Sequence, residues 1–340
     1  MFNFCKKMDK SLYYILNNMN SYIVNGRRKL RGEVIINASK NSATAILVAS
    51  LLNEGKTTIM NLPRIEEVFR IIEVLESIGA KTRWQDLPAG RQGKTLEIIP
   101  PKKIEINKIN KEAAEKTRSI VLFIGALAGL PAQAGRLKSF NLPMTGGCKL
   151  GRRTIMPHIY ALEEMGVKIK DQCDGLSVSS KLKPAVKIVM YEYSDTATEN
   201  TIMVAAKIPF KTTIKFVSAN YQAQDLCYFL QKLGVKIKGI GTTTLTIYGK
   251  ERISQDINYW LTEDPVESML FIAAAAVTKS SITIKRCPIE FLEIELLKLK
   301  KMGFCFRILR EYKAKNGFSQ LVDIKTFPSK LIAPVEKIYG

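Results

Sequence analysis

One pattern recurs along this chain and restricts its fold more than any other feature. A small-residue run, Ala43-Thr44-Ala45-Ile46-Leu47-Val48-Ala49, precedes Lys56-Thr57-Thr58-Ile59 and then a Leu-containing stretch closing in Gly79-Ala80-Lys81. A second copy runs Thr201-Ile202-Met203-Val204-Ala205-Ala206, Lys211-Thr212-Thr213-Ile214, and Leu230-Gln231-Lys232-Leu233-Gly234-Val235-Lys236. Thr58 and Gly79 stand 21 residues apart, as do Thr213 and Gly234. A third has Phe271-Ile272-Ala273-Ala274-Ala275-Ala276, Ser281-Ile282-Thr283-Ile284 and Met302-Gly303. A partial fourth ends at Met165-Gly166-Val167-Lys168, with the region of Cys148 as its first half. Glycine after a Leu-rich period is a helix stop, Thr/Ile runs are strand-like, and self-similarity of this length means one unit reused. Each unit reads as small-residue helix, strand, amphipathic helix, glycine and strand, so the class is α/β. Ala-rich helices permit close approach, which puts helices inside and sheets outside.

At 340 residues the chain is long enough for two domains. Its 46% hydrophobic and 24% charged content is that of a globular protein. The formal charge of +21 would suit nucleic acid, acidic lipid or a phosphorylated metabolite. Its lysines are spread along the sequence, however, which reads as solvated surface and gives the expectation of no nucleic-acid and no membrane partner. The six cysteines form no CxxC pair and no metal spacing with the lone His158. That points to a reducing compartment without a disulfide framework or metal site. Residues 1–20 lack a continuous apolar core, and the apolar run from Ile120 to Leu130 is too short to span a bilayer. The run reads as a buried helix, and the expected location is the cytoplasm.

Chemistry concentrates in Pro143-Met144-Thr145-Gly146-Gly147-Cys148-Lys149-Leu150-Gly151-Arg152-Arg153. Glycines let backbone approach a ligand closely, and neighbouring cations lower a thiol's pKa and make it reactive. Read alone, the loop also fits a surface turn with an incidental cysteine. Lys40-Asn41 stands at the start of a helix expected over residues 42–52, where backbone N–H groups favour anions; a lone lysine also fits plain surface.

With the repeated units, Lys40-Asn41 and the Gly-Gly-Cys loop together, the chain resembles the enolpyruvyl transferases from about Gly26 to about residue 325. The resemblance implies two domains of repeated units: residues 22–40 with 253–340, incomplete, and residues 41–252 carrying the Cys148 loop, after an N-terminal extension over 1–21. It favours the branch acting on UDP-N-acetylglucosamine. The shikimate branch has a Ser-Lys-Ser opening where this chain has Ser39-Lys40-Asn41, and it lacks the cysteine loop. The implied reaction moves the enolpyruvyl group of phosphoenolpyruvate to the sugar 3'-hydroxyl and releases phosphate, the first committed step of peptidoglycan synthesis, without cofactor. Cys148 resembles the family's proton donor, suited to general acid work near neutral pH. Lys40 and Asn41 match substrate contacts. Arg118 and Arg153 match guanidinium groups that bind anions. His158 matches a position just after the loop, and by itself also reads as a structural histidine. Ser194 and Asp195 match a polar turn at the nucleotide, which alone reads as a helix cap.

Four departures from the family pattern stand out. Glu192 replaces a lysine, Met156 an acidic residue, Thr154 a proline, and Ala219-Asn220-Tyr221-Gln222 an Arg-Glu-Pro-Glu signature. The family also continues by roughly 80 to 100 residues, with an aspartate that takes the hydroxyl proton, so the chain is expected to be a truncated member. The stretches 87–93 and 130–136 are expected to be inserted loops without chemistry. Two rival readings are the shikimate-branch activity and an inactive binding homologue.

Overall fold

The computed structural model describes residues 26, 28–85, 94–130, 138–143 and 154–333. Both expected inserted loops fall largely outside these residues. In chain order the elements are β1 (Arg31–Ile35), α1 (Lys40–Ala49), β2 (Thr57–Met60), α2 (Glu66–Ser77), β3 (Lys81–Gln85), β4 (Thr95–Ile99), α3 (Lys111–Glu115), α4 (Phe123–Ala128), β5 (Ser139–Pro143), α5 (Met156–Glu163), β6 (Val167–Gln172), β7 (Gly175–Ser180) and β8 (Lys187–Val189). They continue with α6 (Asp195–Lys207), β9 (Lys211–Lys215), α7 (Tyr221–Lys232), β10 (Lys236–Lys238), β11 (Thr244–Tyr248), β12 (Ile257–Trp260), α8 (Pro265–Val277), β13 (Ser281–Pro288), α9 (Glu293–Lys301), β14 (Phe306–Lys313) and β15 (Gln320–Thr326).

The repeat is written into the backbone. Gly79, Gly166, Gly234 and Gly303 each follow an amphipathic helix, and all four hold positive φ, at 104°, 83°, 84° and 88°. A side chain would strain this left-handed turn, which releases the chain into the next strand. Three sheets then share one order, β12-β2-β4-β3, β8-β9-β11-β10 and β1-β13-β15-β14. In each, a strand from outside the repeat runs parallel to the repeat's first strand, as in Ile257↔Thr57, Lys187↔Thr213 and Arg31↔Ser281. The repeat's last strand lies antiparallel between its first two. The copy ending at Gly166 is complete rather than partial: α4 and β5 supply its first half, with sheet order β5-β7-β6. The Cys148 loop is therefore the connection between that copy's first strand and its amphipathic helix.

The chain divides into two compact units, residues 37–264 with 313–320, and residues 1–36 with 265–312 and 321–340. The boundaries expected from sequence were 40/41 and 252/253. Here β12 keeps the chain in the larger unit by pairing with β2, about 200 residues earlier in sequence.

In the larger unit, helices are central. Ser42 to Ala49 of α1, all of α4, and Ala197 to Lys207 of α6 are buried. Alanine and glycine permit this: a Cβ on Gly125 would sit 2.5 Å from Asn200 Oδ1, so α4 and α6 pack with almost no spacer. The outer helices bury one stripe each. In α2 that stripe is Val68, Ile71, Ile72, Val74 and Leu75, the 3.6-residue period of a helix lying on a core. The smaller unit packs Ile272, Ala275, Ile282, Ile284, Leu296, Phe304, Val322 and Ile324 into its own core. It contains a single repeat among the described residues, and α8 accordingly leaves Val266, Leu270 and Val277 exposed, unlike α1 and α6.

Candidate active site

Because every repeat is built alike, its helices begin on the same side of the larger unit. The N-terminal turns of α1, α2, α5, α6 and α7, with the 3-10 turn Arg118–Leu122, line one cavity of about 830 Å³. Backbone N–H groups at these ends have no intrahelical acceptors and carry partial positive charge, which favours an anionic ligand. The lining includes Lys40, Asn41, Arg118, His158, Ser194 and Asp195. All six are residues selected from sequence, and they come from three repeats. Cys148 and Arg153, also selected, lie outside the described residues. Thr154, immediately after that loop, lines the cavity.

Lys40 opens α1, one residue after Ser39, whose hydroxyl caps the helix by accepting from the Ser42 N–H at 3.2 Å. The helix begins two residues earlier than sequence suggests, which places the lysine on its first turn. Lys40 Nζ donates to Glu67 Oε2 at 2.5 Å. Glu67 Oε1 accepts from Thr117 Oγ1 at 2.9 Å and from Ser119 Oγ at 2.6 Å. These two hydroxyls flank Arg118, so one carboxylate holds both the lysine and the turn that carries the arginine. Burial pushes the Glu67 carboxyl up, but the bonds from Lys40, Ser119 and Thr117 outweigh it and hold the pKa below the ordinary 4.5. Beside it, Arg70 bridges Glu66 at 3.1 Å and Glu73 at 2.7 Å. Asn41 Nδ2 donates to the Tyr221 hydroxyl at 2.9 Å, tying α1 to α7.

His158 is buried between α5 and α6. Its Nδ1 is 2.9 Å from Asn200 Nδ2 and its Nε2 is 3.2 Å from Thr196 Oγ1. The Asn200 amide has its orientation set elsewhere: Oδ1 accepts from the Gly125 N–H at 2.8 Å and Nδ2 donates to the Val121 carbonyl at 3.0 Å. Nδ2 is therefore the donor to His158 as well, which assigns the proton to Nε2. Burial first, then the charge of Arg118, lowers the imidazole pKa to about 4. The ring is neutral at pH 7 and acts there as a strut between helices rather than as a proton carrier.

Asp195, in the first turn of α6, accepts from the Ser218 hydroxyl and from Asn220 Nδ2. Behind it, Glu199 is fully buried, and burial, then the nearby Asp195 charge, raises its pKa well above the ordinary 4.5. Its side chain hydrogen-bonds to Gln222. Glu66, Glu67 and Arg70 were not found from sequence. They open an amphipathic helix, where charges are most often solvated, and the contacts that single out Glu67 span 27, 50 and 52 residues.

A family model described as EPSP synthase (3-phosphoshikimate 1-carboxyvinyltransferase) matches residues 24–332. The UDP-N-acetylglucosamine 1-carboxyvinyltransferase 2 of Streptococcus thermophilus is 32% identical over 319 residues, 91% of this chain and 71% of that protein. The chain belongs to the enolpyruvyl transferase family. A further family member, the UDP-N-acetylglucosamine 1-carboxyvinyltransferase of Aeromonas hydrophila subsp. hydrophila, is 34% identical over 287 residues, 84% of this chain and 65% of that protein. The chain thus spans about two thirds of the length of these curated relatives. Among solved structures, the enolpyruvyl transferase NikO from Streptomyces tendae shares the fold with a TM-score of 0.70 at 18% identity, over 88% of this chain and 66% of that one.

In this family member the departures from the family pattern acquire local roles. Thr154 accepts from the Met156 N–H at 3.1 Å and starts α5. Ser218 and Asn220, around the altered signature, anchor Asp195. Glu192 lines the cavity with an exposed carboxylate.

Proposed function

We propose that this chain serves the transfer of the enolpyruvyl group from phosphoenolpyruvate to the 3'-hydroxyl of UDP-N-acetylglucosamine, with release of phosphate. This is the first committed step of peptidoglycan synthesis, carried out in the cytoplasm without metal or organic cofactor. The supporting observation is the convergence of Lys40, Asn41, Arg118, His158, Ser194 and Asp195 on one cavity ringed by helix N-termini. The names of the 30–34% identical relatives point to the same substrates.

The reaction requires a proton delivered to the methylene carbon of phosphoenolpyruvate, which becomes a methyl group, and attack of the sugar hydroxyl on the adjacent carbon as a base takes the hydroxyl proton. Loss of a proton from that methyl group to a base, as the C–O bond to phosphate breaks, then restores the double bond and releases phosphate. In this reading Cys148 delivers the first proton. Lys40, Arg118 and Arg153 hold the carboxylate and phosphate, through guanidinium forks and a compact ammonium. Ser194 and Asp195 face the sugar nucleotide. Glu67 fixes Lys40 and the Arg118 turn relative to each other.

Alkylation by the epoxide fosfomycin, followed by peptide mass spectrometry, tests the reading. One modified peptide containing Cys148, formed faster in the presence of UDP-N-acetylglucosamine, is the expected result. Labelling spread over Cys173 and Cys305, the exposed thiols among the described residues, with no effect of the sugar nucleotide would overturn it.

A further inference from the structure

The lysines that look scattered along the sequence are gathered in space. In the sheet β8-β9-β11-β10, alternation turns Ile188, Ile214, Ile237, Leu245 and Ile247 into the core and the intervening residues outward. Five of the outward positions are lysine: Lys187, Lys211, Lys215, Lys236 and Lys238. None is Asp or Glu. The register sets them in rows across the strands, with Lys236 opposite Tyr248 and then Lys211, and Lys238 opposite Thr246, then Thr213, then Lys187. With strands roughly 4.8 Å apart, five positive charges share a patch about 15 Å across.

Two other sheets each set a glutamate against a nearby lysine. Glu97 pairs with Lys56 at 3.5 Å, and Glu33 pairs with Lys285 at 2.6 Å. Among the described residues no carboxylate pairs with the five lysines of this face. Its edge strand β8 is flanked by apolar side chains in water: Val186 is 71%, Val189 52% and Tyr191 69% exposed.

We infer that this face docks the protein on an anionic lipid bilayer, with the lysines at headgroup phosphates and Val186, Val189 and Tyr191 at headgroup depth. A sheet face presents its charges to a plane, and lysines near an acidic leaflet attract it over a Debye length. Exposed aliphatic side chains contribute nothing to a nucleic-acid phosphate backbone, whereas they bury readily at the headgroup boundary. On the lysine rows themselves, the Tyr248 ring carries the Lys236 ammonium at 5.0 Å, which reduces the ring surface open to base stacking there. The association is peripheral, since no described helix is long and apolar enough to cross a membrane.

Co-sedimentation with vesicles of phosphatidylcholine, with and without phosphatidylglycerol, tests the inference at physiological ionic strength. The wild-type chain is expected to bind the phosphatidylglycerol vesicles selectively. A variant carrying Lys187→Gln, Lys211→Gln, Lys215→Gln, Lys236→Gln and Lys238→Gln is expected to bind at least about 100-fold more weakly. A control with five exposed lysines removed elsewhere (Lys81, Lys102, Lys168, Lys170 and Lys301, each to Gln) is expected to lose far less. Val186→Ser with Val189→Ser and Tyr191→Ser is expected to weaken vesicle binding too. Thermal unfolding of each variant checks that it is folded. Equal losses in the two lysine variants would reduce the effect to net charge and overturn the inference. So would absence of wild-type binding, or oligonucleotide binding through the same five lysines that outcompetes the vesicles.

Discussion

Lys40 Nζ and Glu67 Oε2 stand 2.5 Å apart, and the second oxygen of the same carboxylate takes the hydroxyls of Thr117 and Ser119. A single acid thus sets the spacing between an ammonium on α1 and the turn that carries Arg118. Lys40 remains half exposed, so its charge is positioned without being withdrawn from a ligand.

Glu67→Gln is expected to keep an acceptor for the hydroxyls and lose the charge that orients Lys40. Affinity for phosphoenolpyruvate should fall about tenfold, the scale of one charge-assisted hydrogen bond. Glu67→Ala, which also strands Thr117 and Ser119, should fall further. Calorimetric titration measures both, and an unchanged affinity in Glu67→Ala would remove the positioning role.

Stability should decline with mild acid because of His158. Its folded pKa, about 4, lies below the ordinary 6.5, so the unfolded chain takes up a proton first as pH falls. The contribution is complete above pH 6.5 and is lost between there and about 4, on the order of 3 kcal/mol. Glu67, whose pKa is also lowered, adds to the loss only below its ordinary 4.5. Urea unfolding across this range, repeated with His158→Gln, isolates the histidine; a wild-type curve as flat as the variant's would contradict the assignment.

Glu199 acts in the opposite direction. Its folded pKa is raised, so its favourable state is fully present below 4.5 and is lost as pH rises and the unfolded carboxyl ionises. Glu199→Gln is therefore expected to raise stability near pH 8 and to change it little near pH 4. A gain of equal size at both pH values would point to packing instead.

Gly125→Ala tests the helix contact behind the cavity. The added carbon would fall 2.5 Å from Asn200 Oδ1 and 2.7 Å from the Asn200 carbonyl oxygen. Separation of α4 and α6 should cost about 2–4 kcal/mol, from overpacking together with loss of the Gly125 N–H bond. Chemical denaturation measures it, and a cost under about 0.5 kcal/mol would mean the helices part more easily than this packing allows.

What was legible in the sequence is what local chemistry decides. The glycine stops needed no tertiary context, since each lies two or three residues beyond a helix end; Gly79, Gly166, Gly234 and Gly303 all hold the left-handed turn. The six cavity residues selected within the described chain were reached through motif resemblance, because nothing in their spacing brings Lys40 near Asp195. Glu67 was invisible because its partners are distant in sequence. The extent of the larger unit depends on β12 pairing with β2, which leaves no mark in the residues around Ile253. The lysine face was hidden for the same reason, since strand alternation and register gather what the linear order scatters.

The most direct test of the central claim is calorimetric titration of UDP-N-acetylglucosamine into the wild-type chain and into Arg118→Ala, with shikimate 3-phosphate as the alternative ligand. Saturable binding of the sugar nucleotide, weakened about 10- to 100-fold by Arg118→Ala, with no competition from shikimate 3-phosphate, is the expected result. Unchanged affinity in Arg118→Ala, or binding of shikimate 3-phosphate in place of the sugar nucleotide, would contradict it.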